Sequence, residues 1–175
     1  MTTYKIDPAH SEIAFKVKHM MIATVSGNFT QFDATLQTEA PDFNNATISF
    51  EADVNSINTN NEQRDGHLKS EDFFAAEKFP KLTFVSKSFT KEDEEEYKLV
   101  GDLTIRGVTK TVELAVEYGG TMTDPYGQVK AGFDISGKIN RKEFGLSWGV
   151  VTEAGGVVVS DDVKLHLSIQ MVKQA

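Results

Sequence analysis

The sequence predicts a single closed antiparallel β-barrel with an apolar interior. Apolar and polar residues alternate with a period of two through most of the chain. Turn signals divide this alternation into about eight runs, and no segment reads as the long helix that a parallel crossover needs. A chain of 175 residues suits one domain, 1–175, and buries a core without staples. It contains no cysteine, which excludes a disulfide framework, a thiolate zinc site and a cysteine nucleophile.

In the first clear run, Ile13, Phe15, Val17 and His19 share one face, and Ala14, Lys16 and Lys18 share the other. Phe29, then Phe32, Ala34 and Leu36, repeat the pattern with a one-residue slip, which predicts a β-bulge near Thr30 and Gln31. Further runs are Ile48, Phe50, Ala52, Val54; Leu82, Phe84; and Leu99, Gly101, Leu103, Ile105. After a turn at Gly107 come Val112, Leu114, Val116 and Tyr118, and after Asp124-Pro125-Tyr126-Gly127 come Ala131, Phe133, Ile135, Gly137 and Ile139. Val163, Leu165, Leu167, Ile169 and Met171 form the last run. A meander of this kind closes on itself and so removes its exposed edges.

Thr59-Asn60-Asn61-Glu62 reads as a capping box that opens one short helical segment, about residues 60–75, with Ser70 capping a second turn. Leu68 is its one large apolar residue before Phe73, and Arg64, Asp65 and His67 lie within a turn of it. Such a segment does not pack as a core helix, and it is expected to cover one barrel mouth.

The net charge of −8 predicts repulsion from phosphate backbones and anionic lipid surfaces, so nucleic acid is not expected as a partner. The run Glu92-Asp93-Glu94-Glu95-Glu96 reads as a solvated hairpin tip. Lys5, Asp7, His10, Glu12, Lys16 and Lys18 interrupt the opening residues, leaving no stretch of signal-peptide or membrane-spanning length. A cytoplasmic location without integral membrane association is the expectation.

An eight-stranded barrel is either filled by its own side chains or encloses one small ligand. Ala52, Gly101, Ala131 and Gly137 fall in the inward phase. Two readings stand: they leave room inside, or they relieve crowding and let strands bend. The wall is mainly Phe, Ile, Leu and Val, with His19 the one polar residue clearly in phase. Such a wall suits a hydrocarbon, each buried methylene contributing about 0.8 kcal/mol. His19 is read either as a hydrogen-bonded interior histidine or as a ligand contact. Arg64, Asp65 and His67 are the polar candidates for a ligand head group, the alternative being that Arg64 and Asp65 tie the helix to loop carbonyls.

Several motifs, in order and spacing, resemble the YceI-like family of lipocalin-like, polyisoprenoid-binding barrels. They are Ile6-Asp7-Pro8-Ala9-His10-Ser11 leading to Phe15 and His19; Gly27 with Phe29; Ser56-Ile57-Asn58-Thr59; and Arg64-Asp65-Gly66-His67-Leu68 with Asp72-Phe73-Phe74 and Phe79-Pro80. Gly101-Asp102-Leu103-Thr104-Ile105-Arg106-Gly107-Val108-Thr109 and Arg141-Lys142-Glu143-Phe144-Gly145 complete the match. The resemblance implies an extended lipocalin-like barrel whose tunnel takes an isoprenoid or similar amphiphile tail, often in a homodimer, and it implies no catalytic residues. The candidate ligand-binding residues are then Ile13, Phe15, Val17, His19, Phe29, Phe32, Ile48, Phe50, Ala52, Arg64, His67, Phe74, Phe84, Leu103, Ile105, Phe133, Ile135, Phe144 and Trp148.

Gly145-Leu146-Ser147-Trp148-Gly149 fits the G-x-S-x-G nucleophile elbow, with Asp161, Asp162 and His166 in hydrolase order. That elbow requires a helix after the serine, yet Gly155-Gly156 and a β-branched run follow. A serine hydrolase using Ser147 is therefore the alternative reading, beside a filled-core protein-interaction module. His10, His19, His67 and His166 show no H-x-H or H-E-x-x-H spacing, and no metal is expected. Gly119-Gly120 and Gly155-Gly156 lack the strand, lysine and helix of a phosphate cradle, so no cofactor is expected besides the apolar ligand.

Overall fold

The alternation becomes eleven antiparallel strands in a computed structural model, described for residues 1–20, 22–147 and 159–175. In chain order they are β1 Thr2–Ile6, β2 Glu12–His19, β3 Ala23–Phe29, β4 Phe32–Thr38, β5 Thr47–Asp53 and β6 Ile57–Asn58. The helix α1, Glu62–Lys69, precedes β7 Lys81–Lys91, β8 Glu96–Ile105, β9 Val108–Thr123, β10 Val129–Asn140 and β11 Val159–Lys173.

Eight of them close a ring in the order β1-β4-β5-β7-β8-β9-β10-β11, with β11 returning to β1. The same edge of β11 also takes β2, through Val159–Ser168, so β1 and β2 form one interrupted strand. The interruption is a 3-10 turn at Pro8–His10, where proline has no N–H to give to a ladder. β3 and β4 form a second interrupted strand. At the predicted slip Thr30 and Gln31 make a full break instead of a one-residue bulge, because a second 3-10 turn, Val54–Ser56, parts β5 from β6 opposite them. Thr30 donates to the Ser56 carbonyl at 3.2 Å, and the Asp53 N–H donates to the Gln31 carbonyl at 2.9 Å. β3 therefore meets β6 only at Asn28 and Phe29, and Ala23–Gly27 has a strand partner on one side alone among the described residues. The barrel parts laterally at that edge.

The four small inward residues do not leave the interior empty. A Cβ on Gly101 would lie 2.4 Å from Phe84 Cζ and 2.6 Å from the Val85 carbonyl oxygen, and one on Gly137 would lie 2.3 Å from Leu114 Cδ2. Ala52 and Ala131 are fully buried. Neighbouring side chains occupy the space beside the two glycines, so there relief of crowding is the reading that holds. Gly101→Ala is expected to lower stability by about 2 kcal/mol, since backbone and a packed ring must both shift. Gly137→Ala is expected to cost less, because the end of a leucine side chain can rotate away. Urea titration of both variants checks the order.

Asp7 clasps the seam where the barrel closes. It caps the Pro8–His10 turn through Ala9 N at 3.1 Å, and accepts from Lys130 Nζ of β10 at 2.9 Å and from His10 Nδ1 at 2.8 Å. The hydrogen bond from Lys130, then that from His10, holds its carboxyl below the usual carboxylate range against the opposing effect of burial. A depressed carboxylate stabilises above its unfolded pKa and loses that contribution as pH falls through the folded value. Asp7→Asn should therefore be less stable than the unmodified chain at pH 7, with the gap closing in strong acid; denaturation at both pH values tests this.

A candidate ligand-binding cavity

The inward faces of the strands surround a cavity of about 350 Å³. Of the sequence-derived candidates, Ile13, Phe15, Val17, His19, Phe29, Ile48, Phe50, Arg64, His67, Phe74, Phe84, Leu103, Ile105, Phe133 and Ile135 line it. Phe32, Ala52 and Phe144 do not. Phe32 and Ala52 face each other across β4 and β5 at the broken corner, where packing at the turn takes them out of the wall. Phe144 is 1% exposed on the 3-10 turn Arg141–Phe144 and packs in the core away from the cavity. Trp148 lies outside the described residues.

Val163, Leu165 and Leu167 of β11 also line the cavity and remain half-exposed there, although their inward phase was plain in the sequence. Nothing in the pattern ranked them above their neighbours, since phase says which face is inside but not where packing stops.

One end of the cavity is plugged by aromatic rings. Phe89 and Phe133 form its floor, with Phe89 stacked on Tyr97 at 4.7 Å between ring centres and Phe133 edge-on to Phe43 at 5.3 Å. Tyr4 and Tyr118 stand against Phe43 at 5.3 and 5.5 Å. Phe43 enters from the β4–β5 loop with φ of 64°, a left-handed conformation that an aromatic residue adopts only when its surroundings hold it. The Tyr97 hydroxyl donates to the Asp42 carbonyl, and burial raises the pKa of both Tyr4 and Tyr97. Sequence reading missed this plug because Phe43 belongs to no strand.

The other end is covered by α1 and the turns that follow it. The helix is capped by Asn61, whose side chain accepts from Arg64 N at 3.0 Å, and not by Thr59 as its sequence suggested. Thr59 is instead the hub of a different network: its N–H and hydroxyl donate to Asp65 Oδ1 at 2.9 and 2.6 Å. Arg64 donates to the Thr59 hydroxyl and carbonyl, both at 2.9 Å. The Arg64–Asp65 pair thus ties the helix to its loop while Arg64 also borders the cavity. α1 ends at Lys69, and Ser70 closes it as the C-terminal cap, so the expected second helical turn is a set of non-helical turns through Phe79. Leu68 turns to the cavity, and His67 lies 2.8 Å from Asp72 with its ring edge-on to Phe73 at 5.2 Å.

Arg141 is the residue whose role the sequence left unread. It is 3% exposed, borders the cavity, and donates to the carbonyls of Leu146, Val159 and Ser160, the last at 2.9 Å. Desolvation lowers its pKa, opposed by Asp161 at 3.9 Å, and its guanidinium sits 6.0 Å from the Phe73 ring centre. The polar side chains of the wall are therefore His19, Arg64, His67 and Arg141: no carboxylate borders the cavity among the described residues.

The hydrolase constellation is not assembled. Ser147 is exposed three residues past the 3-10 turn Arg141–Phe144. His166 is on the outer face of β11, opposite Ser136 and Ala14 and 3.5 Å from Asp134. It lies seven residues along the strand from Val159, about 20 Å by strand rise. Among the described residues no group of three His, Asp or Glu side chains has the geometry to hold a metal ion.

The overall fold is shared with known proteins. The model of the YceI-like domain matches residues 4–171. The chain is a member of the YceI-like family. A UPF0312 protein of Staphylococcus aureus is 40% identical over 171 residues, covering 97% of each chain. The crystal structure of the Campylobacter jejuni YCEI protein is 34% identical with a TM-score of 0.78, covering 90% of each chain. Two structures share only the fold with this YceI-like chain. Burkholderia cenocepacia BcnA has a TM-score of 0.82 at 23% identity, over 94% of this chain and 98% of its own. A polyisoprenoid binding domain from Saccharophagus degradans, implicated in plant cell wall breakdown, has 0.70 at 15% identity, over 98% of each. No helix of the described YceI-like chain is long and apolar enough to cross a membrane.

Proposed function

We propose that this YceI-like barrel holds the tail of a long apolar amphiphile, of isoprenoid, isoprenoid-quinone or fatty-acyl type, for carriage, storage or sensing and without chemical conversion. The observation that carries the reading is the cavity itself: about 350 Å³, walled by aliphatic and aromatic side chains, closed by rings at one end and bordered at the other, among the described residues, by Arg64, His67 and Arg141 with no carboxylate. Pockets for small molecules begin near this size. Burial of each methylene contributes about 0.8 kcal/mol, so a chain of ten carbons or more binds with few directed contacts. The head group lies at the α1 end, where Arg64 and Arg141 bring positive charge and His67 a polar ring to the cavity border, an edge suited to an oxygen-rich or anionic group. No hydrogen bond joins the His19 ring to another described residue, which leaves it available to the ligand. The polyisoprenoid named for the Saccharophagus domain supports the isoprenoid class through the shared fold.

Denaturing organic extraction of the purified protein, followed by mass spectrometry, should release one apolar amphiphile in roughly equal molar amount. A barrel that releases none, and that fails to take up an added prenyl quinone or long-chain fatty acid, has an interior that does not serve this purpose.

A further inference from the structure

We infer that the mouth end of the barrel docks on an anionic lipid bilayer, with Met20 and Ile22 between β2 and β3 entering the interface and a row of lysines facing the lipid head groups. Ile22 is 89% exposed and Met20 is half-exposed, Met20 following directly on His19 at the cavity edge. The adjoining strand edge, Ala23–Gly27, is the one where the barrel parts. Bulky apolar side chains exposed beside the opening of an apolar cavity are suited to an interface that is itself the source or destination of an apolar cargo.

The charges beside them point to the sign of that interface. Lys138, Lys164 and Lys16 stand directly opposite one another on β10, β11 and β2, and Lys18 lies one step further toward Met20 on the same outer face. Like charges placed opposite one another across strands are destabilising, so the fold gains nothing from this row. Lys138 is partly offset by Asp162 at 3.6 Å, but Lys16, Lys18 and Lys164 form no ion pair with a described residue. The charge of −8 is unevenly placed: Glu92 to Glu96 sit on the β7–β8 hairpin and Asp124 on the β9–β10 turn, both at the plugged end, whereas at the mouth end Glu71, Asp72, Asp161 and Asp162 each lie against a basic side chain, Lys78, His67, Lys142 and Lys138. The whole-chain charge therefore misleads about the mouth. The acidic end points away from an anionic surface when the lysines face it, and the molecule is oriented as well as attracted. This docking goes beyond the binding of a ligand and does not require the cavity to be occupied.

The absence of cysteine makes the test direct. Ile22→Cys and, at the opposite end, Tyr126→Cys, a position 91% exposed, each carry one environment-sensitive fluorophore. With vesicles of phosphatidylcholine containing about a third phosphatidylglycerol, the label at position 22 should brighten and shift to the blue, and that at position 126 should not. Lys16→Gln with Lys164→Gln should weaken this partitioning on the order of 20-fold, from about fivefold per lysine near an anionic surface. Pure phosphatidylcholine should give little response. Four results overturn the inference: no response at position 22, an equal response at position 126, insensitivity to the lysine substitutions, or brightening that grows with protein concentration without vesicles, which would mark self-association. Extraction of a bound amphiphile is a separate measurement, so docking and cargo binding fail independently.

Discussion

Arg141→Ala should lower stability by about 3 kcal/mol, or roughly 6–12 °C in melting temperature for a chain of 175 residues. The guanidinium is almost wholly enclosed and joins three carbonyls from two segments, Leu146 on one side and Val159 and Ser160 on the other. Truncation leaves those acceptors without their donor in a place that water enters poorly, and the penalty of an unmade bond exceeds the gain from making one. Arg141→Lys keeps the charge but cannot reach three acceptors in a planar fork, so it should recover less than half of the loss. Thermal and urea unfolding of both variants measure this. A loss below about 1 kcal/mol for the alanine variant would mean that the carbonyls find other partners. Since Arg141 also borders the cavity beside Leu146 and Val159, retention of a bound amphiphile should fall with it.

Phe89→Ala should be costlier still, about 4 kcal/mol or roughly 8–16 °C. Its ring is 2% exposed, stacks on Tyr97 with planes 9° apart and meets Phe133 at 6.4 Å, so the substitution removes both apolar burial and an aromatic pair. The space left behind joins the cavity floor instead of forming an isolated void. Two measurements follow: calorimetry gives the loss of stability, and extraction followed by mass spectrometry gives the chain length retained. The variant should hold a longer chain than the unmodified protein, and the longer chain should restore part of the lost stability by binding the folded state alone. Phe89→Leu, which refills most of the volume, should lose no more than about 1.5 kcal/mol and leave the retained length unchanged.

The period of two made the strands and their faces readable, because a side chain on a pleated strand must point to one side or the other and the core admits only apolar ones. Most of the candidate wall followed from that alone: Ile13, Phe15 and Val17 on one run, Phe133 and Ile135 on another, all border the cavity. Room inside was one of two readings of the small inward residues, and at the two glycines the other reading holds. Ala52, Gly101, Ala131 and Gly137 are small where they point inward, yet Phe84 fills the place beside Gly101 and Leu114 that beside Gly137. Volume missing at one position is supplied from the next strand, which a one-dimensional pattern does not record. The capping of α1 failed for a similar reason: Thr59 and Asn61 are both good caps, and the choice fell to Asn61 because Arg64 and Asp65 engage Thr59.

By itself the sequence determined that this is one closed antiparallel barrel with a greasy inside, a polar outside and a short charged helix over a mouth, since each of those follows from the local order of apolar and polar residues. Only the tertiary structure decided that the interior stays open, that a loop residue, Phe43, helps to plug one end, and that Arg141 is buried at the other. These three depend on how distant strands and loops meet, as where Phe43 and Phe89, more than forty residues apart, both pack against Phe133, and contacts of that kind leave no period in the chain.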